Sequence, residues 1–185
     1  MRLIAAVMLS CILCGCASGN SAFDRAVRLR EALLAANTCS FDASVTAHYT
    51  DTAYQFQLSC AVDHNGALTF TVSSPETIQG ISGKISSDTA ALTFDDKVLV
   101  FPILADDRLT PVSVPWIFYS TLRSGYLTGC MESEDGLEIS IDDSFLENPL
   151  HLQIHTDRND IPVYAEVYYQ DKMVISLGIS SFTLV

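Results

Sequence analysis

Cys16 is the side chain with the clearest chemistry in this chain, because of what precedes it. The run Leu13-Cys14-Gly15-Cys16 follows Arg2 and an apolar stretch from Leu3 to Leu13. A basic residue, a short hydrophobic segment and small residues directly before a cysteine form the layout of a bacterial lipoprotein signal. Cleavage after Gly15 would leave the Cys16 sulfur carrying a diacylglycerol. The apolar stretch is too short to span a ~30 Å bilayer comfortably, which takes about 20 residues. A plain secretory signal would end in a small-x-small site rather than at a cysteine. Each buried methylene contributes about 0.8 kcal/mol, so one acyl chain binds marginally, while two chains of palmitate type anchor stably. Residues 1–15 are therefore expected to be a signal peptide and residues 16–22 a small, polar, lipidated tether. The folded part, residues 23–185, is then held on the extracytoplasmic face of the cell membrane.

The other reactive side chains point away from catalysis. Cys11 and Cys14 leave with the signal, so Cys39, Cys60 and Cys130 remain, an odd number. Cys39 with Cys60 is the most plausible disulfide pair, across a short β-connection; the alternative, left open, is three buried thiols acting as small apolar residues. No CxxC or Cys/His spacing suits a metal. His48, His151 and His155 fall on polar strand faces and His64 in a turn. His151 and His155 are four apart on one strand, about 13 Å at ~3.3 Å per residue, too far for one ion. Asp142, Asp143 and Glu147 lack the twelve-residue spacing of a calcium loop. Ser144 has no histidine in a recognised motif, and no GxSxG occurs. Gly80-Ile81-Ser82-Gly83 is not followed by a helix with a basic residue aimed at phosphate. No catalytic residue, cofactor or metal is expected. The net charge of -12 argues against nucleic acid, whose phosphates demand Lys and Arg, and against electrostatic docking on anionic lipid.

Almost everything after the tether alternates with a period of two. Ser21 to Asn37 is the exception: Phe23, Ala26, Val27, Arg30, Leu33 and Leu34 recur at helical spacing, with Asn37 as a stop. Phe41, Ala43, Val45, Ala47 and Tyr49 then alternate with polar residues, as do Tyr54, Phe56, Leu58, Cys60 and Val62, around a four-residue loop at 50–53. For Val62 and Leu68 to share a face, the next loop must be His64-Asn65-Gly66, with its third residue left-handed, a position that favours glycine. Pro75 ends that strand. Further strands are expected over Ile78–Ile85, Ala90–Phe94 and Lys97–Phe101, then a polar loop over 105–112. Pro115 to Arg123 reads as a short helix that starts near a proline and stops before Gly125. Four or five more strands follow, near Tyr126–Glu132, Leu137–Asp142, Leu150–His155, Ile161–Tyr169 and Met173–Leu184. The last has a bend at Ser180-Ser181, where its apolar phase switches from odd to even positions.

Consecutive alternating strands with short loops imply an antiparallel sheet with one apolar face. A sheet of about eleven strands tends to curl, and a curled sheet under two helices is the economical α+β arrangement. Its apolar face is the one candidate site, lined by Val45, Tyr54, Phe56, Leu58, Phe70, Val72, Ile139, Leu152 and Val167, with Trp116, Ile117 and Phe118 from the second helix. Such a face is either a core packed shut or a cavity of ~300–1,000 Å³ that accepts a ligand.

This order of elements resembles the LolA/LppX group of envelope lipoproteins and lipid carriers, over roughly Ser21 to Val185. The passage Phe70-Thr71-Val72-Ser73-Ser74-Pro75-Glu76-Thr77-Ile78-Gln79-Gly80-Ile81 is similar to the strand–Pro–strand segment of LolA-like lipoproteins from Gram-positive bacteria. Glu166-Val167-Tyr168-Tyr169 through Ile179 and Phe182 resembles their last hairpin. The resemblance implies an eleven-stranded half-barrel closed by helices, and binding of a lipid or other apolar ligand in its hollow without catalysis. The alternative it implies is a GerS-like interaction module that works through an envelope protein partner. The chain departs from true LolA carriers in being lipidated itself and in showing no counterpart of their cavity arginine, which speaks against shuttling between membranes.

Overall fold

A computed structural model of the chain describes residues 21–49, 52–87, 90–94, 97–101, 104–105 and 108–185. The expected signal peptide, Cys16 and most of the tether lie outside these residues. Helix α1 (Ala22–Ala35) begins at a capping box: the Asp24 N–H donates to the Ser21 hydroxyl, and the Asp24 carboxylate accepts from the Ser21 backbone. These are two of the donors that a helix start leaves unsatisfied. The helix buries Ala26, Leu29 and Leu33. Phe23 and Leu34, expected on that stripe, are exposed.

Eleven strands form one antiparallel sheet: β1 (Cys39–Tyr49), β2 (Thr52–Val62), β3 (Leu68–Ser74), β4 (Ser82–Ile85), β5 (Ala90–Phe94), β6 (Lys97–Phe101), β9 (Tyr126–Glu132), β10 (Leu137–Asp142), β11 (Leu150–Thr156), β12 (Pro162–Tyr169) and β13 (Lys172–Leu184). A two-residue pair, β7 (Leu104–Ala105) and β8 (Arg108–Leu109), stands apart, in what the sequence presents as a loop. The order in the main sheet is β6-β5-β4-β3-β2-β1-β13-β12-β11-β10-β9. Two meanders are thus joined where the last strand pairs with the first, and Val185 exchanges backbone hydrogen bonds with Thr38. The chain must cross from edge strand β6 to the opposite edge β9, and it carries helix α2 (Val114–Ser124) on that crossing.

Turn chemistry follows the sequence closely. Val62 pairs with Leu68, Gly66 takes φ 79°, and the Asp63 carboxylate accepts from the N–H groups of Asn65 and Ala67. The β1–β2 pairing continues to Tyr49 and Thr52, so two residues of the expected four-residue loop, Thr52 and Ala53, belong to β2. The bend in β13 is a bulge: the register shifts between Ser40–Thr183 and Asp42–Ser180, with Ser181 at φ 56°.

Candidate functional site

Alternation puts one side chain of every two on the helix-covered face of the sheet. Val45, Phe56, Leu58, Phe70, Val72, Ile139, Leu152 and Val167 all lie on that face at 9% exposure or less. Helix α2 brings Ile117 and Phe118 onto them, and Phe118 meets Phe41 edge to face at 5.8 Å. Trp116 is only partly buried, and its Nε1–H donates to the Gly66 carbonyl at 3.1 Å. Tyr54 stands apart from this cluster at 59% exposure, near the start of β2. Over β1–β3 and β10–β13 the helix-covered face is therefore a packed core, filled from within by the second helix, whereas Leu99 on β6, in one row with Phe70 through Gly83 and Leu92, is exposed.

Of the two readings left open for the cysteines, the thiol one is seen: Cys39 and Cys60 are buried free thiols, and Cys130 is a half-buried one. Cys39 pairs with Val62 and Cys60 with Phe41, so each thiol takes a place in the apolar layer rather than a bridge. Burial pushes the Cys39 thiol up to about 12, and Cys60 higher still.

A half-buried cation packs among the apolar residues of α1. Arg30, on the inner side of α1, donates from Nε to the Leu122 carbonyl at 2.9 Å. Its Nη2 is buried with no hydrogen-bond partner. Burial pulls this guanidinium below its ordinary range, and the nearby Cys130 opposes the shift. Helical spacing places Arg30 on the apolar stripe of α1, so its position is legible in the sequence, whereas its partner carbonyl on the second helix is not.

Among the described residues, exposed apolar side chains form a cluster at each edge of the sheet, besides scattered ones such as Val163 and Met173. On β6, Val98, Leu99 and Val100 are 66%, 63% and 65% exposed. Beside β9, the loop after β10 exposes Phe145 (82%) and Leu146 (75%), with Tyr126 stacked on Phe145 at 3.5 Å between ring centroids.

The outer face of β10–β12 is polar and ordered in rows. Asp142, His151 and Tyr168 form one row, Ser140, Gln153 and Glu166 the next, and Glu138, His155 and Tyr164 the third. Asp142 Oδ1 lies 2.8 Å from His151 Nδ1, the Tyr168 hydroxyl donates to Glu166 at 2.6 Å, and Gln153 donates to Glu138. Reading strand phase placed the histidines on this face, but cross-strand partners need the register, which the sequence alone does not give. Among the described residues no group of three His, Cys, Asp or Glu side chains could hold a metal ion.

No protein-family model matches this sequence, and neither does any curated protein. Solved structures do. A DUF1329 family protein from Desulfovibrio piger superposes with a TM-score of 0.52 at 9% identity, over 88% of this chain and 91% of its own. A LolA superfamily protein from Nitrosomonas europaea gives 0.48 at 9% identity, over 89% and 94%. The lipoprotein LppX from Mycobacterium tuberculosis gives 0.39 at 14% identity, over 85% and 94%. The first likeness, spanning most of both chains, shows the shared chain path. The fold is an open eleven-stranded antiparallel half-barrel with two helices, as the element order implies.

Proposed function

We propose that the protein is a non-catalytic binding module, anchored through a diacylglyceryl group on Cys16 to the extracytoplasmic face of the membrane, that acts on a protein partner through the open edges of its half-barrel. The observation that carries this reading is the distribution of apolar surface. Large apolar side chains are packed under the helices on β1–β3 and β10–β13, and exposed ones cluster on β6 and around Phe145. Clustered exposed apolar residues mark interaction sites, and a free edge strand offers backbone donors and acceptors to an added strand. A photo-crosslinking residue at Leu99 or at Phe145 should give a discrete adduct in membranes of the producing cell. The same residue at Thr71, on the outer face of β3, should give none. Equal labelling from all three positions, or from none, would sink the edge reading.

A second reading, an apolar ligand held in the interior, is favoured by Arg30. Its buried, partnerless Nη2 would be completed by an anionic headgroup, since a buried polar group without a partner costs about 1–3 kcal/mol. Native mass spectrometry of the domain from Ser18 onward separates the two. The edge reading expects a ligand-free mass; an added mass of lipid size, lost in Arg30→Met, would transfer the function to the interior.

A further inference from the structure

The geometry points to a saccharide-binding site on the outer face of the sheet, in the cavity at the start of β11, separate from the core and beside the loop that carries Phe145. The cavity has a volume of about 570 Å³, within the ~300–1,000 Å³ range of small-molecule sites. It lies where β10, β11 and β12 meet the loop at 143–149 and the turn at Gln170-Asp171. Asp142, Glu147, Asn148, His151, Gln153 and Tyr168 carry its chemistry, and none of its lining residues is Lys or Arg.

Each of these groups excludes some ligands. Carboxylates with no cation beside them repel phosphates and acidic peptides. Amides and carboxylates would be left unpaired by an apolar ligand, at a cost for every group so buried. A hydroxyl-rich neutral ligand fits both conditions. Its hydroxyls donate to the carboxylates and amide oxygens, and accept from the amide N–H groups of Asn148 and Gln170.

Tyr168 supplies the apolar half of such a site. Its hydroxyl is committed to Glu166 at 2.6 Å, and its ring lies 6.1 Å from that of His151. With the polar tip engaged, what the ring has left to offer is its face, suited to the C–H side of a pyranose. His151 is braced in turn by Asp142, whose carboxylate accepts from the Nδ1–H and leaves Nε2 as the uncommitted ring nitrogen. Positions fixed before binding lower the ordering cost that a weak, exposed site must overcome.

The test is isothermal titration of the mature protein, in a detergent without a sugar headgroup, with cellotetraose, maltotetraose and tetra-N-acetylchitotetraose. Spermine serves as the cationic comparison. At least one oligosaccharide should bind. Tyr168→Phe should keep that affinity within a few-fold, whereas Tyr168→Ala should weaken it by roughly tenfold, about the worth of one well-placed aromatic contact. Asn148→Ala, on an exposed loop, should also weaken binding and gives a second readout should Tyr168→Ala unfold. Failure of all three oligosaccharides to bind, binding of spermine in their place, or sugar binding indifferent to both Tyr168→Ala and Asn148→Ala overturns the assignment.

Discussion

Asp63 and Asp157 perform the same task in two different hairpins. Each accepts backbone N–H groups two and four residues ahead, and each turn contains a left-handed residue, Gly66 in one and Asp160 in the other. Glycine at the first was legible because loop length and strand phase both demanded it. Asp160 was not, since an aspartate at φ 63° is held by an ion pair to Arg25 at 2.5 Å from a helix distant in sequence. In Asp160→Gly and Asp160→Ala the pair is lost equally, but only alanine keeps the left-handed strain, so the glycine variant should be more stable by ~1 kcal/mol in urea titration. The turn carboxylates also set a pH dependence. The Ala67 N–H, first among its causes, holds Asp63 below the ordinary value of 3.8; at Asp157 burial pushes upward but the Ile161 and Asn159 N–H groups outweigh it. A carboxyl whose folded pKa lies below its unfolded one adds stability above the unfolded value and loses it as pH falls through the folded one. Stability should therefore drop on acidification below pH ~4, and the double variant Asp63→Asn/Asp157→Asn should show a flatter acid limb. The buried thiols give a further check at this scale. Cys39 and Cys60 should resist alkylation at pH 8 in the native state and both react, without any reductant, once the chain is unfolded in urea.

At the scale of elements, period-two strands were the legible part and helix faces were not. Each strand from Tyr126 onward falls within about a residue of its sequence-based bounds, because alternation has only two phases and a buried face selects one. Helix α1 carries apolar residues around more than one side, and only packing on β9 and β10 chooses Ala26, Leu29 and Leu33 over Phe23 and Leu34. Helix α2 is buried on nearly every side because it plugs the curl of the sheet. Phe118→Ala should therefore cost about 3–5 kcal/mol, the range for deleting a fully buried aromatic ring, measured as a lowered urea midpoint. The edge residues predict the opposite. Val98→Lys and Val100→Lys remove exposed side chains from β6, and exposed substitutions usually stay within about 0.5 kcal/mol. On the edge reading these two variants keep the fold and lose the crosslinked partner.

For the whole molecule, the curled antiparallel sheet could be argued from alternation and strand number, whereas the contents of its hollow could not. A run of alternating apolar residues reads the same whether it lines a cavity or a core. What decides is the crossing from β6 to β9, a matter of topology that places Ile117, Phe118 and Leu122 inside. The polar rows of the outer face were hidden for a related reason: Asp142, His151 and Tyr168 sit on three strands and become neighbours only through register. The proposed anchor is a property of the complete chain, and its charge sharpens the test. At -12, falling to -13 once Arg2 is removed with the signal, the protein has no electrostatic hold on an anionic leaflet, where each Lys or Arg near the surface would add about 1 kcal/mol. Two acyl chains on Cys16 would then be the whole attachment. Cys16→Ser should move the protein completely from the membrane pellet to the soluble or unprocessed pool. Washing the wild-type membranes with high salt should release none of it, because no ion pairs are there to screen. Release by salt, or retention of Cys16→Ser in the membrane after its signal has been cleaved, would show that another surface of the half-barrel holds the bilayer.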